Sequence, residues 1–260
     1  MSAKILLADI ETAPILAHVW GLWDQNVGLN QIHTDWHLLS WCAKWLGDKE
    51  LMYMHQRGAK NVEDDKRILK GIWNLLDEAD VVIWQNGKKF DNKKLNARFV
   101  MNDMKPPSGF KQIDTLDIAK RRFGFTSNKL EYLSSSLCTK YKKLTHKKYP
   151  GFELWKECLA GNEDAWKEME KYNKHDVLAL EELYTKLMPW DNTVNFNLYS
   201  EGEENECSCG SKNFVKNGFY YTNVGKFQRY LCNDCGSETH STTNLLSKEK
   251  KASITKRTVR

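Results

Sequence analysis

Lys4-Ile5-Leu6-Leu7-Ala8-Asp9-Ile10-Glu11-Thr12-Ala13-Pro14 reads as a buried strand that ends on two carboxylates. The apolar run is strand-length and is closed at Pro14, which cannot donate to a ladder. Successive strand side chains alternate faces, so Asp9 and Glu11 point one way and Ile10 points the other, into the core. Two acids on one face of a strand end can hold a cation, but an ordinary solvated strand end looks the same. The assignment depends on what accompanies it.

Two further acids accompany it. Val81-Val82-Ile83-Trp84-Gln85 is a second apolar strand, followed by the turn signal Asn86-Gly87 and by Lys88-Lys89-Phe90-Asp91. Leu95 and Phe99 then follow at the helical spacing of four, with Asp91 in the first turn, where a carboxylate also serves as a simple cap. A long helix is expected over about 163–186, where Trp166, Met169, Tyr172, Asp176, Ala179, Leu180 and Leu183 share a stripe. Tyr172 and Asp176, four apart, lie on one face, and an aspartate on an apolar stripe needs a hydrogen-bond partner or a metal. Converging carboxylates repel unless cations neutralise them, and oxygen-only ligand sets favour Mg²⁺ or Mn²⁺. Two such ions about 3.5–4 Å apart can clamp the attacking and leaving oxygens of a phosphodiester.

Asp9-x-Glu11, Asn86-x3-Phe90-Asp91-x3-Leu95 and Tyr172-x3-Asp176 together resemble the three motifs of the DEDD 3′–5′ exonucleases, in the subgroup with tyrosine in the third motif. The likeness covers about residues 4–187 and extends to nucleases of bacteria and their phages. It implies a ribonuclease H-like α/β fold, a mixed sheet flanked by helices, and two catalytic Mg²⁺ or Mn²⁺ ions. By the same resemblance, Asp9 would bridge both ions. Glu11 and Asp176 would hold the ion that activates water, and Asp91 would hold the other, directly or through water. Tyr172 would orient the attacking water. His175 is adjacent to Asp176, and neighbouring helix positions face apart, so it is read as a surface or packing residue. Asp114 closes a further strand; the resemblance implies a mostly structural role for it, and it stands as a reserve candidate for the site.

The remaining order supports a mixed sheet. Strands are expected at Leu38–Trp45 and 50–55, an amphipathic helix at 62–77, and a strand ending at Asp114. The excursion at 13–35 carries Trp20 and Trp23. Such aromatics could stack on unpaired bases or pack on the surface of a long insert.

A second region follows a polar linker at 189–205. Cys207-Ser208-Cys209-Gly210 and, after 22 intervening residues, Cys232-Asn233-Asp234-Cys235-Gly236 bracket the apolar segments at Phe219–Tyr221 and 227–231. Four thiolates favour one tetrahedral, structural Zn²⁺, and a segment this small needs such a staple. The pattern over 206–240 resembles the zinc ribbons of DNA-handling enzymes. Its first knuckle is Cys-x-Cys. Either that loop is tight, or Cys207 is spare and Glu206 or His240 completes the site.

Charge separates the two regions. Residues 206–260 hold ten Lys or Arg and four acids, net +6, so within a chain of net +5 the remainder carries −1. A basic appendage on a near-neutral body suggests that the appendage grips a polyanion. Asn86, Lys88, Lys89, Lys226 and Arg229 are the expected nucleic-acid contacts. A second basic run, Lys140, Lys142, Lys143, Lys147 and Lys148, reads equally as a solvated face. From Ser241 to 260 the chain is polar, basic and aperiodic, and disorder is expected.

With 41% hydrophobic residues the chain can bury a substantial core. No apolar stretch is long enough to span a membrane, and the first apolar run carries Asp9, unlike a signal peptide. The seven cysteines divide into the cluster of four and three isolated in apolar contexts (Cys42, Cys138, Cys158). That is the pattern of a reducing compartment, with a cytoplasmic location expected, in a bacterium or in the host of a phage. The resemblance implies DNA as the partner, single-stranded or with a free 3′ end, cut to nucleoside monophosphates. Three alternatives stand beside it: a structure-specific DNA endonuclease on the same centre, a DNA-binding adaptor with an inert nuclease fold, and RNA as the substrate.

Overall fold

The computed structural model describes residues 3–142, 144, 148–201, 206, 207 and 209–256. Lys143 and Lys147 of the second basic run, Gly202 to Asn205 of the linker, Ser208 and the last four residues of the tail lie outside the described residues. The chain divides into two units, Ala3–Lys186 and Leu187–Arg260.

The larger unit is built on β1 (Ile5–Thr12). A short pair, β2 (Leu16–Ala17) and β3 (Ile32–Thr34), leads to β4 (Leu38–Trp45) and β5 (Met52–His55). Helix α1 (Lys66–Glu78), strand β6 (Val81–Trp84), helix α2 (Asp91–Met101), strand β7 (Lys111–Asp114) and helix α3 (Thr115–Arg122) follow. Helices α4 (Leu130–Leu137), α5 (Glu153–Leu159) and α6 (Glu163–Leu187) complete it. The sheet order is β5-β4-β1-β6-β7. β4 runs antiparallel to both β1 and β5, while β6 runs parallel to both β1 and β7. This is the mixed α/β sheet expected from one hairpin followed by crossover helices.

Alternation along β1 sorts the two layers of helices. Leu6, Ala8 and Ile10 join Ile68, Leu69, Ile72 and Leu76 of α1 and Leu95 and Phe99 of α2 in one core. A separate core gathers Leu39 with Leu154 and Cys158 of α5 and with Ala165, Trp166 and Met169 of α6. Two buried ion pairs tie helices to the frame. Arg98 of α2 grips Asp65, just before α1, through two bonds of 2.7 Å, and Lys44 of β4 meets Glu181 of α6 at 2.5 Å.

Strand β1 pairs with β6 only through Leu7, opposite Ile83, yet stays paired with β4 to its end. Beyond Leu7 its β6-side edge is open. The turn after β6 explains what fills that opening. Asn86 adopts φ +67°, a left-handed conformation that asparagine tolerates. A Cβ on Gly87 would stand 2.4 Å from the Trp84 side chain, so only glycine lets the chain fold back this tightly. The turn thus brings the start of α2 against β1.

In the smaller unit, 3₁₀ turns at Met188–Trp190 and Phe196–Tyr199 occupy part of the stretch expected to be a plain linker. Strands β8 (Phe214–Thr222), β9 (Gly225–Cys232) and β10 (Glu238–His240) form an antiparallel sheet in the order β10-β9-β8. The expectation of a structureless tail from Ser241 is corrected for its described part. The Ser241 and Leu245 amides donate to the carbonyls of Gln228 (2.8 Å) and Lys226 (2.7 Å), continuing the edge of β9. Helix α7 (Lys248–Ala252) follows, capped by the Ser247 hydroxyl, which accepts from the Lys250 amide at 3.1 Å. The tail's aperiodic sequence hides this because its bonds are backbone bonds to an exposed strand edge, which any residue type can make.

Candidate metal centre of the larger unit

The carboxyl end of β1 brings three of the expected acids to one place, Asp9 and Glu11 on the strand and Asp91 at the start of α2. Asp9 and Glu11 leave the strand half-buried on the face opposite Ile10. Asp91 opens α2, and its Oδ1 accepts the Ile10 amide proton at 3.1 Å. That bond fills the open edge of β1 between Asp9 and Glu11. Burial pushes the Asp91 carboxyl up to about 7, against the pull of the Ile10 amide and with added repulsion from Asp114. A carboxyl this shielded favours either a proton or a cation.

Helix α6 supplies the third side. The Asn173 amide donates to Asp9 Oδ2 at 2.6 Å and to the Asp9 carbonyl at 3.3 Å. Its own oxygen accepts from Ser40 of β4 at 3.2 Å. Asp176, one turn on from Asn173, and Tyr172 beside it are both buried. From α5, the Trp155 indole N–H donates to Glu11 Oε2 at 3.1 Å and meets the Tyr172 ring edge-on, centroids 6.3 Å apart. The donors are therefore oxygens alone, a set suited to hard divalent ions.

Asn173 and Trp155 bond to Asp9 and Glu11, and the motif reading assigns neither of them a role. Asn173 lies inside the Tyr172–Asp176 motif and is three residues before Asp176, which places it on the same helical face. That spacing was the available signal. The pairing of Trp155 with Glu11 spans 144 positions, so its sequence neighbourhood does not show that bond.

Asp114 behaves as expected of a structural residue. It caps α3 through the Leu116 amide (3.0 Å) and holds the loop before α2 by accepting from the amides of Asn86 (2.8 Å) and Lys88 (3.2 Å). His175 packs edge-on against Tyr141 and meets the Lys142 carbonyl. Of the expected phosphate contacts, Lys88 directs its ammonium to Asp117 at 3.1 Å, whereas Lys89 is exposed. In the excursion, Trp20 and Trp23 stand 99% and 85% exposed, so they do not pack on the body.

The four clustered cysteines of the smaller unit also come together. The sulfurs of Cys207, Cys209, Cys232 and Cys235 all lie within 4.8 Å of one another, the sole such group of potential ligands among the described residues. Cys207 is 3.3 Å from Cys235, and Cys209 is 3.7 Å from Cys232. Tetrahedral zinc–thiolate bonds of about 2.3 Å place sulfurs about 3.8 Å apart, so the cluster fits one zinc ion. His240 stacks on Tyr220 at 4.2 Å, and Glu206 meets Ser200 and Lys212. Neither alternative ligand is needed. Burial raises the Cys232 thiol, but the amides of Cys235 and Asp234 outweigh it and bring the group down to about 7. Arg229 braces the sheet, donating to the Asn217 carbonyl at 2.7 Å.

A family profile described as the RNase H superfamily matches residues 28–188, more than half of the chain. The chain belongs to the RNase H superfamily. Among solved structures, it is similar to the family B DNA polymerase from the hyperthermophilic archaeon Pyrobaculum calidifontis. The TM-score is 0.51 at 14% identity, over 72% of this chain and 25% of the polymerase. The chain thus spans about a quarter of that protein's length, and the likeness is one of fold. No curated protein matches the sequence. Members of an RNase H-like nuclease fold work with divalent metals, in keeping with the oxygen donors at β1. No helix among the described residues is long and apolar enough to cross a membrane.

Proposed function

We propose that this chain is a 3′–5′ exonuclease that hydrolyses DNA with two divalent ions, anchored to its substrate by a C-terminal zinc ribbon. The observation that carries the reading is the bond from the Ile10 amide to Asp91, which sets a third carboxylate between Asp9 and Glu11. Asp9, Glu11, Asp91 and Asp176 would hold Mg²⁺ or Mn²⁺. The ions, when bound, would neutralise the acids and polarise the phosphodiester.

The protein's own groups do the positioning. Asn173 and Trp155 each fix one carboxylate by a hydrogen bond, so Asp9 and Glu11 need not reorganise as charge develops. The Tyr172 phenol, held by the Trp155 edge, would orient the attacking water. Water oxygen bonds to the terminal phosphorus and the bond from phosphorus to the 3′ oxygen breaks. The departing 3′ oxygen takes up a proton, leaving a shortened strand with a free 3′ hydroxyl and a nucleoside 5′-monophosphate.

The test is cleavage of 5′-labelled single-stranded, duplex and branched DNA, and of RNA, with added Mg²⁺ or Mn²⁺. Stepwise shortening of single-stranded DNA is expected, with mononucleotide product and none from Asp9→Ala. Discrete internal fragments would support an endonuclease instead, and an absence of any cleavage would support an adaptor. Full activity of Asp9→Ala would overturn the assigned centre.

A further inference from the structure

The sheet β8–β10 has two unlike faces. On one, Tyr220 lies under His240 with ring planes 7° apart, and Phe227 approaches the same imidazole at 5.6 Å, so the imidazole already occupies the stacking position on Tyr220, which is still 42% exposed. On the other, Tyr221 pairs with Lys226, Phe219 with Gln228, and Lys216 with Tyr230. Phe219 and Tyr221 are 40% and 64% exposed, with ring centroids 6.4 Å apart. The Lys226 ammonium sits 3.8 Å from the Phe219 centroid and 6.0 Å from that of Tyr221, and Lys216 is exposed on the same face.

A bulge at Asn217–Gly218 creates this arrangement. The register shifts between Lys216 and Phe219, and Gly218 takes φ +68°, which a side chain would disfavour. The shift puts Lys216, Phe219 and Tyr221 on one face. Gln228 donates to the Gly218 carbonyl at 2.8 Å and Arg229 to the Asn217 carbonyl at 2.7 Å, so the bulge is locked from both faces. Glu238 is met by Asn217 (2.9 Å) and by Arg229 (3.7 Å). Two rigid aromatic faces flanked by lysines, in a region of net +6, match a polyanion that carries exposed π surfaces.

We infer that this face is a base-stacking platform for single-stranded nucleic acid, with Phe219 and Tyr221 each taking an unpaired base and Lys216 and Lys226 taking adjacent phosphates. Duplexes present base edges, not faces, and so cannot use it. An exposed cation–π contact is weak, so Lys226 can leave Phe219 for a phosphate. This deepens the proposed function by naming what the appendage holds, and it stands or falls apart from the chemistry.

The experiment is fluorescence anisotropy with the full chain carrying Asp9→Ala, so that binding is read without cleavage. The probes are labelled oligothymidylate, oligouridylate and a duplex of equal length. Phe219→Ala and Tyr221→Ala should each weaken single-strand binding about 5–100-fold and leave its salt dependence unchanged. Tyr221→Phe should bind like the parent, because it keeps the ring. Lys226→Gln should flatten the salt slope by about 0.7. Zinc content, measured on every variant, identifies any that has lost the sheet. Comparing the two strands tells DNA from RNA as the polymer held. Wild-type affinity of both alanine variants with zinc retained, or duplex binding as tight as single-strand binding, would overturn the platform. Binding that meets these expectations while the wild-type chain, with Asp9 intact, cuts nothing would instead refute the nuclease reading alone.

Discussion

Replacing Asp91 with asparagine tests the metal centre without removing its hydrogen bond. The amide retains an oxygen for the Ile10 N–H, which Asp91 Oδ1 meets at 3.1 Å, but loses the charge. Burial lifts the Asp91 carboxyl from its ordinary 3.8 to about 7, because a carboxylate only 5% exposed has lost most of its hydration. A pKa raised in the folded state means that the fold binds this proton more tightly than the unfolded chain does. The contribution to stability is therefore fully present below about pH 3.8 and is lost as the pH rises through 7. At about 1.4 kcal/mol per tenfold change, the span from 3.8 to about 7 corresponds to about 4 kcal/mol, a ceiling that local relaxation lowers. Urea unfolding followed by far-ultraviolet circular dichroism, without added divalent ions, reads this directly. Asp91→Asn and wild type should match near pH 4, and the variant should be more stable by about 1–4 kcal/mol near pH 8. Millimolar Mn²⁺ should narrow that gap by stabilising wild type more. A variant no more stable than wild type near pH 8, or a gap that ignores pH, would refute the argument.

Tyr172→Phe should lower turnover about 10–10³-fold with little change in the Mn²⁺ concentration needed, and wild-type turnover would reduce Tyr172 to packing. Trp155→Phe keeps the ring against Tyr172 but drops the donor to Glu11, so turnover should fall about tenfold, as for one lost hydrogen bond to a charged group, while the unfolding midpoint barely moves. Arg98→Met strands Asp65, which is fully buried, and should cost about 3–5 kcal/mol in urea unfolding. Cys232→Ser should release one zinc per chain by native mass spectrometry and leave the helical signal of the body intact.

The elements that carry their own apolar period were legible in the sequence. The run Ile5 to Ile10 forms β1, Val81 to Trp84 forms β6, and the Trp166–Met169–Tyr172 stripe lies on α6, because burial on one face imposes that period locally. What escaped is set by partners distant in the chain. Nothing around Trp155 announces Glu11, and nothing around Ser40 announces Asn173. Lys88 shows the reverse. Its place before Asp91 suggests a phosphate contact, and the fold also sets Asp117 within reach at 3.1 Å, a half-exposed pair that holds the ammonium only weakly. The tail after Ser241 lacks any period because its order comes from backbone bonds to β9, which leave no mark on side-chain choice.

The bond between Asn173 and Asp9 joins residues 164 positions apart. A growing polypeptide carries Asp9 and Glu11 for more than 160 residues of synthesis before it acquires Asp176. At about 5–20 residues per second, that leaves roughly 10–30 s in which the growing polypeptide holds an incomplete set of acids. On the proposed four-acid centre, the order of synthesis would act as a safety catch, because a fragment that ends before α6 lacks Asp176 and Asn173.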